Sequence, residues 1–334
     1  MDKKVIFAVA GSGKTTYIVD SLTPEKRSLI VTYTNGNYDN LTKKIANKYN
    51  GIWPDNVTLM SYFQFLYSFC YKPFLSDRCN ARGMLFEPNP NYRIAQNKRA
   101  YYLTPSGYFY SNRLALFLDK AGVIGEIKKR ITTYFDNFII DEVQDIAGRD
   151  FTFLEQLMDT NVNMLFVGDY FQHTYNTSLD GNVNKGLFDN RAKYEKRFRD
   201  KGITPDVTTL VNSWRCSKSI CDYISSNLGI IIHSNRIDDT TIQFISDKAT
   251  IGQILNNDGI VKLHFRNSAK FGYSHRNWGD TKGEDCYQDV CVMLNKETMK
   301  KYRSGRLSEL APSTRNKLYV AITRAHRNVY LVEE

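Results

Sequence analysis

The run Ala8-Val9-Ala10-Gly11-Ser12-Gly13-Lys14-Thr15-Thr16 constrains what this chain can fold into more than any other part of it. Residues 4–10 are apolar enough for a buried strand, two glycines then break the chain, and residues 15–22 read as a helix. A strand that turns on glycines into a helix is the context a phosphate-binding loop requires. The loop amides and the helix N-terminus present N–H groups to a β-phosphate. Lys14 is expected to reach the β- and γ-phosphates, and the Thr15 hydroxyl to ligate Mg²⁺. The full pattern G-x4-G-K-[ST] asks for glycine at position 8, where this chain has Ala8; Gly11 and Gly13 still permit close backbone approach.

A second acidic half follows downstream. Phe138-Ile139-Ile140-Asp141-Glu142 is an apolar run ending in two carboxylates. Asp141 is expected to face the magnesium through water, and Glu142 the attacking water as its base. Residues 29–33, 57–60 and 164–167 repeat the short apolar run, with helical segments after the first two near 38–49 and 62–69. Strands that alternate with helices imply a parallel α/β sheet with its chemistry at the strands' carboxyl ends. Further strand signals at 261–265, 290–294 and 329–332 suggest a second sheet. The reading is a first lobe at 1–204 interrupted by an insertion at 76–132, then a second lobe at 205–334 with a short insertion at 227–258.

The formal net charge of +10 favours a polyanionic partner, because fixed positive charge concentrates phosphate backbones. Six cysteines form no CxxC pair and have no zinc-like partner spacing, so reduced thiols are expected rather than metal ligands. The opening residues mimic a secretion signal, but their apolar stretch is short and runs into the phosphate loop. No apolar run is long enough to span a bilayer, and a cytoplasmic protein without a membrane partner is expected.

From Asp141-Glu142-Val143-Gln144-Asp145 onward the chain resembles the UvrD/Rep-type superfamily-one helicases, and the motifs keep that family's order. Thr32-Tyr33-Thr34-Asn35 is similar to its TxTN motif, and Thr58-Leu59-Met60-Ser61-Tyr62 to its TFHSF element with Met60 for histidine. Gly168-Asp169-Tyr170-Phe171-Gln172 resembles GDxxQ, Asn212-Ser213-Trp214-Arg215 resembles NYR, and Thr281-Lys282-Gly283 resembles SKG. Leu318-Tyr319-Val320-Ala321-Ile322-Thr323-Arg324-Ala325 is similar to LYVAxTRA. The resemblance implies two RecA-like lobes that hydrolyse ATP with Mg²⁺ in the cleft between them. It makes Gln172 the γ-phosphate sensor, Trp214 the adenine contact and Asp285 the ribose contact. Arg215 and Arg324 become the cations that neutralise transition-state charge. Thr32, Thr34, Asn35, Thr58, Ser61 and Tyr62 become contacts to nucleic acid.

The chain also departs from that family. Thr177 stands where the family stacks an aromatic on a base, which leaves the aromatic-rich stretch Tyr101, Tyr102, Tyr108, Phe109 and Tyr110 either to stack bases or to pack a core. The residues ahead of the loop leave no room for the family's adenine-reading glutamine, so strict selection of ATP is not implied. The insertions are short beside those that split duplexes. Two readings therefore stand. One is an ATP-dependent translocase or helicase on single-stranded DNA, with polarity 3′ to 5′ by resemblance and RNA not excluded. The other is an ATP-switched sensor or loading subunit that controls a partner nuclease, as in compact relatives from anti-phage defence pairs. A phosphate-loop kinase would leave both arginines and the second sheet unexplained.

Overall fold

Short apolar strands joined by crossover helices pair in parallel, because each helix returns the chain to the same end of the sheet and covers one face. The computed structural model describes residues 1–91, 93–174, 183–272, 274–284 and 286–334. Its strands in chain order are β1 (Lys3–Phe7), β2 (Ser28–Thr32), β3 (Val57–Ser61), β4 (Gly83–Leu85), β5 (Tyr108–Tyr110), β6 (Asn137–Asp141), β7 (Asn163–Gly168) and β8 (Thr204–Asp206). Then come β9 (Asn212–Ser213), β10 (His233–Ser234), β11 (Ile242–Phe244), β12 (Ile260–His264), β13 (His275–Asn277), β14 (Asp289–Leu294) and β15 (Val329–Glu333). The chain forms two units. The first is Met1–Ile6, Thr15–Gly168 and Asn176–Asp206; the second is Phe7–Lys14, Asp169–Tyr175 and Val207–Glu334.

The first unit is built on a six-stranded sheet in the order β3-β2-β6-β7-β1-β8. β2 is buried at every position, as a strand covered on both faces must be. β6, β7 and β1 are neighbours, so their carboxyl ends lie side by side at one edge, where ligands of such sheets bind. Edge-to-face contact of Phe138 with Phe166 (5.8 Å) and of Phe166 with Phe198 (6.4 Å) fills the space behind the sheet. Residues 62–75 form one helix whose middle, Phe65–Tyr71, is wound as a π-helix, and Phe65, Phe69 and Tyr71 turn inward from it.

The 76–132 stretch supplies much of this core. Tyr101, Tyr102, Phe109 and Tyr110 are buried, and Phe109 packs against Tyr71 (4.9 Å) and Phe117 (5.0 Å). Packing therefore claims four of the five candidate stacking aromatics; Tyr108 alone stays exposed. Each such ring removed from water stabilises the fold by roughly 1.5–3 kcal/mol.

The second unit holds a five-stranded parallel sheet, β11-β15-β14-β12-β13, and a short pair, β9-β10. The 227–258 stretch contributes β11, whose Ile242, Gln243 and Phe244 register with Val329, Tyr330 and Leu331 of β15. Trp278 is fully buried in this core and spends its indole N–H on Leu263 O at 2.9 Å.

Candidate nucleotide site

The apolar run of residues 4–10 leaves the sheet early: β1 stops at Phe7, and Val9 N–H donates to Leu210 O (2.9 Å) instead of a strand partner. The Ser12 hydroxyl donates back to Val9 O at 2.8 Å and closes the loop on itself. Gly11 (φ +69°) and Gly13 (φ +88°) occupy the left-handed region, yet they meet different needs. A Cβ on Gly11 would lie 2.5 Å from Arg215 Cβ and 2.8 Å from Ser213 Oγ. On Gly13 it would meet nothing within 4 Å. Gly11 is fixed by packing, whereas Gly13 opens the loop at the start of the helix Lys14–Asp20, where phosphate oxygens can approach backbone amides. The loop thus fits a phosphate group.

One hydroxyl organises the rest of this unit's site. Tyr319 OH accepts the Ala10 N–H at 2.8 Å and donates to Asp169 Oδ2 at 3.0 Å; all three residues are fully buried. Burial, and then the charge of Asp169, hold this phenol well above its usual range, so it stays protonated and able to donate. Asp169 also accepts the Phe171 N–H at 3.0 Å, which starts the 3₁₀ turn Tyr170–Gln172 and buries Gln172. Asn316, on the same helix as Tyr319 (Pro312–Ile322), donates to His173 O at 3.3 Å.

Arg324 follows that helix and is 1% exposed. Its Nε donates to Val320 O (3.1 Å) and its Nη1 to Glu284 O (3.0 Å). Arg215 is half-buried with Nη1 3.4 Å from Thr323 O. Trp214 N–H donates to Gly11 O at 2.9 Å while its indole is 67% exposed, a broad free surface beside the loop. Asp285 lies outside the described residues, as do Tyr175 and Thr177.

The first unit carries the carboxylates. Asp141 ends β6, and Glu142 turns sharply out of the strand with φ +57°. A non-glycine residue in that region costs on the order of 1–2 kcal/mol, strain of the kind found at functional sites. Two contacts hold it. Gln144 Nε2 donates to Glu142 Oε2, and the 3₁₀ turn Val143–Asp145 lies on Gly168, where a Cβ would be 2.2 Å from Gln144 Oε1. Thr15 and Thr16 open the helix after the loop, and Lys44 Nζ donates to Thr16 Oγ1 at 2.7 Å.

Of the six residues expected at nucleic acid, Thr32, Thr34, Asn35, Ser61 and Tyr62 fall at or just past the carboxyl ends of β2 and β3 while Thr58 lies near the start of β3, and not all reach the surface. Thr32 (1% exposed) and Tyr62 (2%) are inside. The Thr34 hydroxyl caps the helix Asn35–Lys48 by accepting Asn37 N–H at 3.2 Å. Ser61 forms a capping box with Gln64, at 3.3 Å and 2.9 Å. Thr58 is half-buried and Asn35 is exposed.

A glycine loop leaving a parallel sheet into a helix, with an Asp-Glu pair ending β6 two places away in the same sheet, is the arrangement of a phosphate-loop nucleotide-binding fold. The family model described as AAA domain matches residues 2–178, more than half of the chain, and the chain belongs to that family. No curated protein matches it. Among solved structures it is similar to an arterivirus nonstructural protein 10 helicase in complex with DNA. That likeness has 13% identity and a TM-score of 0.51, and covers 99% of this chain and 60% of the other. A PRRSV helicase is similar over 99% of this chain and 52% of its own at 12% identity, with a TM-score of 0.49. The chain thus spans between half and three-fifths of the length of these helicase chains. At such identity the likeness concerns the fold, an α/β architecture of RecA-like parallel sheets.

Two residues of the site, Tyr319 and Asp169, carry no site signal of their own in the sequence. Tyr319 and Asp169 sit inside quoted motifs, but an aromatic in an apolar helix reads as core and an aspartate after glycine as a turn former. Only their distance to each other and to Ala10 gives them a role. Tyr319→Phe is expected to destabilise the protein by about 1–3 kcal/mol, since it removes the hydroxyl that the buried Ala10 amide donates to and one of the donors to the buried Asp169 carboxylate. Denaturant titration reads this, and an unchanged midpoint would mean that the hydroxyl bridge is not formed.

Proposed function

We propose that this protein is an ATP-driven translocase or helicase on single-stranded DNA, moving 3′ to 5′. The observation that carries the reading is the Tyr319 bridge. It joins the phosphate loop through Ala10 to the Gln172 turn through Asp169, on the helix that leads into Arg324.

In this reading Lys14 neutralises the β- and γ-phosphates and Gln172 detects the γ-phosphate. Arg215 and Arg324 stabilise the charge that develops on the transferred phosphoryl group, and Trp214 stacks on adenine. Asp285 is the proposed ribose contact. Glu142, oriented by Gln144, takes the proton of the attacking water. Thr15 and Asp141 are the residues that would hold Mg²⁺, which supplies charge neutralisation at the phosphates. Hydrolysis removes the group that Gln172 and the arginines detect, and the hold on a strand changes with it. Thr34, Asn35 and Ser61 are the proposed backbone contacts; Thr32 and Tyr62, being buried, support them.

A second reading is an ATP-switched sensor or loading subunit acting with a partner nuclease. It is favoured by how much of the 76–132 stretch is spent on the core, which leaves little of it as separate duplex-splitting hardware.

The deciding experiment measures phosphate release with and without single-stranded DNA, together with displacement on a 3′-tailed duplex. Stimulation with displacement is the result expected of an autonomous helicase. Stimulation without displacement would favour the sensor, and no stimulation would overturn the nucleic-acid reading. Glu142→Gln should retain ATP binding while turnover falls about 10²-fold or more; undiminished turnover would remove Glu142 as the base.

A further inference from the structure

One aromatic cluster is left over once the core and the nucleotide site are accounted for. It sits on the first unit, just past the ends of β2 and β3. Tyr33 follows β2, Phe63 lies in the first turn after β3, and Phe86 follows β4. Phe63 meets Phe86 edge-to-face (4.9 Å, 86°) and Tyr33 at 5.7 Å, so its ring is held from two sides. Tyr62, buried beneath, supports Phe63 at 5.5 Å. Phe86 itself is 65% exposed.

A phenylalanine held against a supported ring with most of its surface in water contributes little to folding. The hydrophobic gain is mostly forgone, and a polar residue would serve a turn better. Its surroundings add a charge bias: between residues 77 and 99 the chain carries five cations against two acids. Aromatic surface within a basic segment suits unpaired bases on a phosphate backbone, since every base offers a π-face and the backbone follows the positive charge.

We propose that Phe86, braced by Phe63, is a base-stacking platform for a single-stranded nucleic acid. The inference rests on the reading of the protein as a single-strand motor. It assigns the stacking contact to a residue of the 76–132 stretch that none of the recognised motifs contains.

The test is binding of a fluorescent oligothymidylate, and of an abasic strand of equal length, to the full chain and to Phe86→Ala and Phe86→Trp. Phe86→Ala should bind thymidylate about tenfold more weakly, a fold-change within the range of one lost base stack. It should bind the abasic strand as wild type does, and Phe86→Trp should restore thymidylate binding. Equal losses on the two strands, or no loss on thymidylate, would overturn the stacking role while leaving the motor reading in place. Failure of the wild-type chain to bind either strand would overturn both.

Discussion

The Tyr319 hydroxyl is the point on which the nucleotide site depends. It lies 309 residues from Ala10 and 150 from Asp169, and it satisfies a buried amide and a buried carboxylate at once. In a low-dielectric interior neither partner has water to fall back on, so the three groups are fixed together or not at all. The rest of that unit's site follows from the bridge. The phosphate loop is closed by Ser12, Gly11 packs under Arg215, and Asp169 starts the turn that buries Gln172. The helix bearing Tyr319 ends where Arg324 begins its bonds to backbone carbonyls.

The chemistry is divided between the units in an ordered way. The carboxylates Asp141 and Glu142 belong to the first, at the end of a buried strand and in a strained turn locked by Gln144 and Gly168. The phosphate loop, Gln172 and both arginines belong to the second.

Much of this was legible in the sequence, and the reasons differ by element. The phosphate loop and the Asp-Glu strand end were readable because their chemistry demands particular residue types at fixed spacing. The parallel strands were readable as short apolar runs. β11 was not, because Ile242-Gln243-Phe244 is too short and mixed to stand out, and becomes a strand only by pairing with β15. The tyrosines of the 76–132 stretch could stack or pack, and only burial against Tyr71 and Phe117 decides for packing. The glycine at 11 was expected from its turn. That Arg215 leaves no room for a side chain there is a long-range fact with no local signal.

In the proposed function the loop around Lys14 holds the phosphates of a nucleotide that is hydrolysed. The most direct measurement is the release of phosphate from MgATP by the wild-type chain and by Lys14→Ala, with melting temperatures compared to confirm the fold. Turnover in the wild type and its loss in Lys14→Ala, at an unchanged melting temperature, is the expected result. Equal turnover in the two proteins would contradict it.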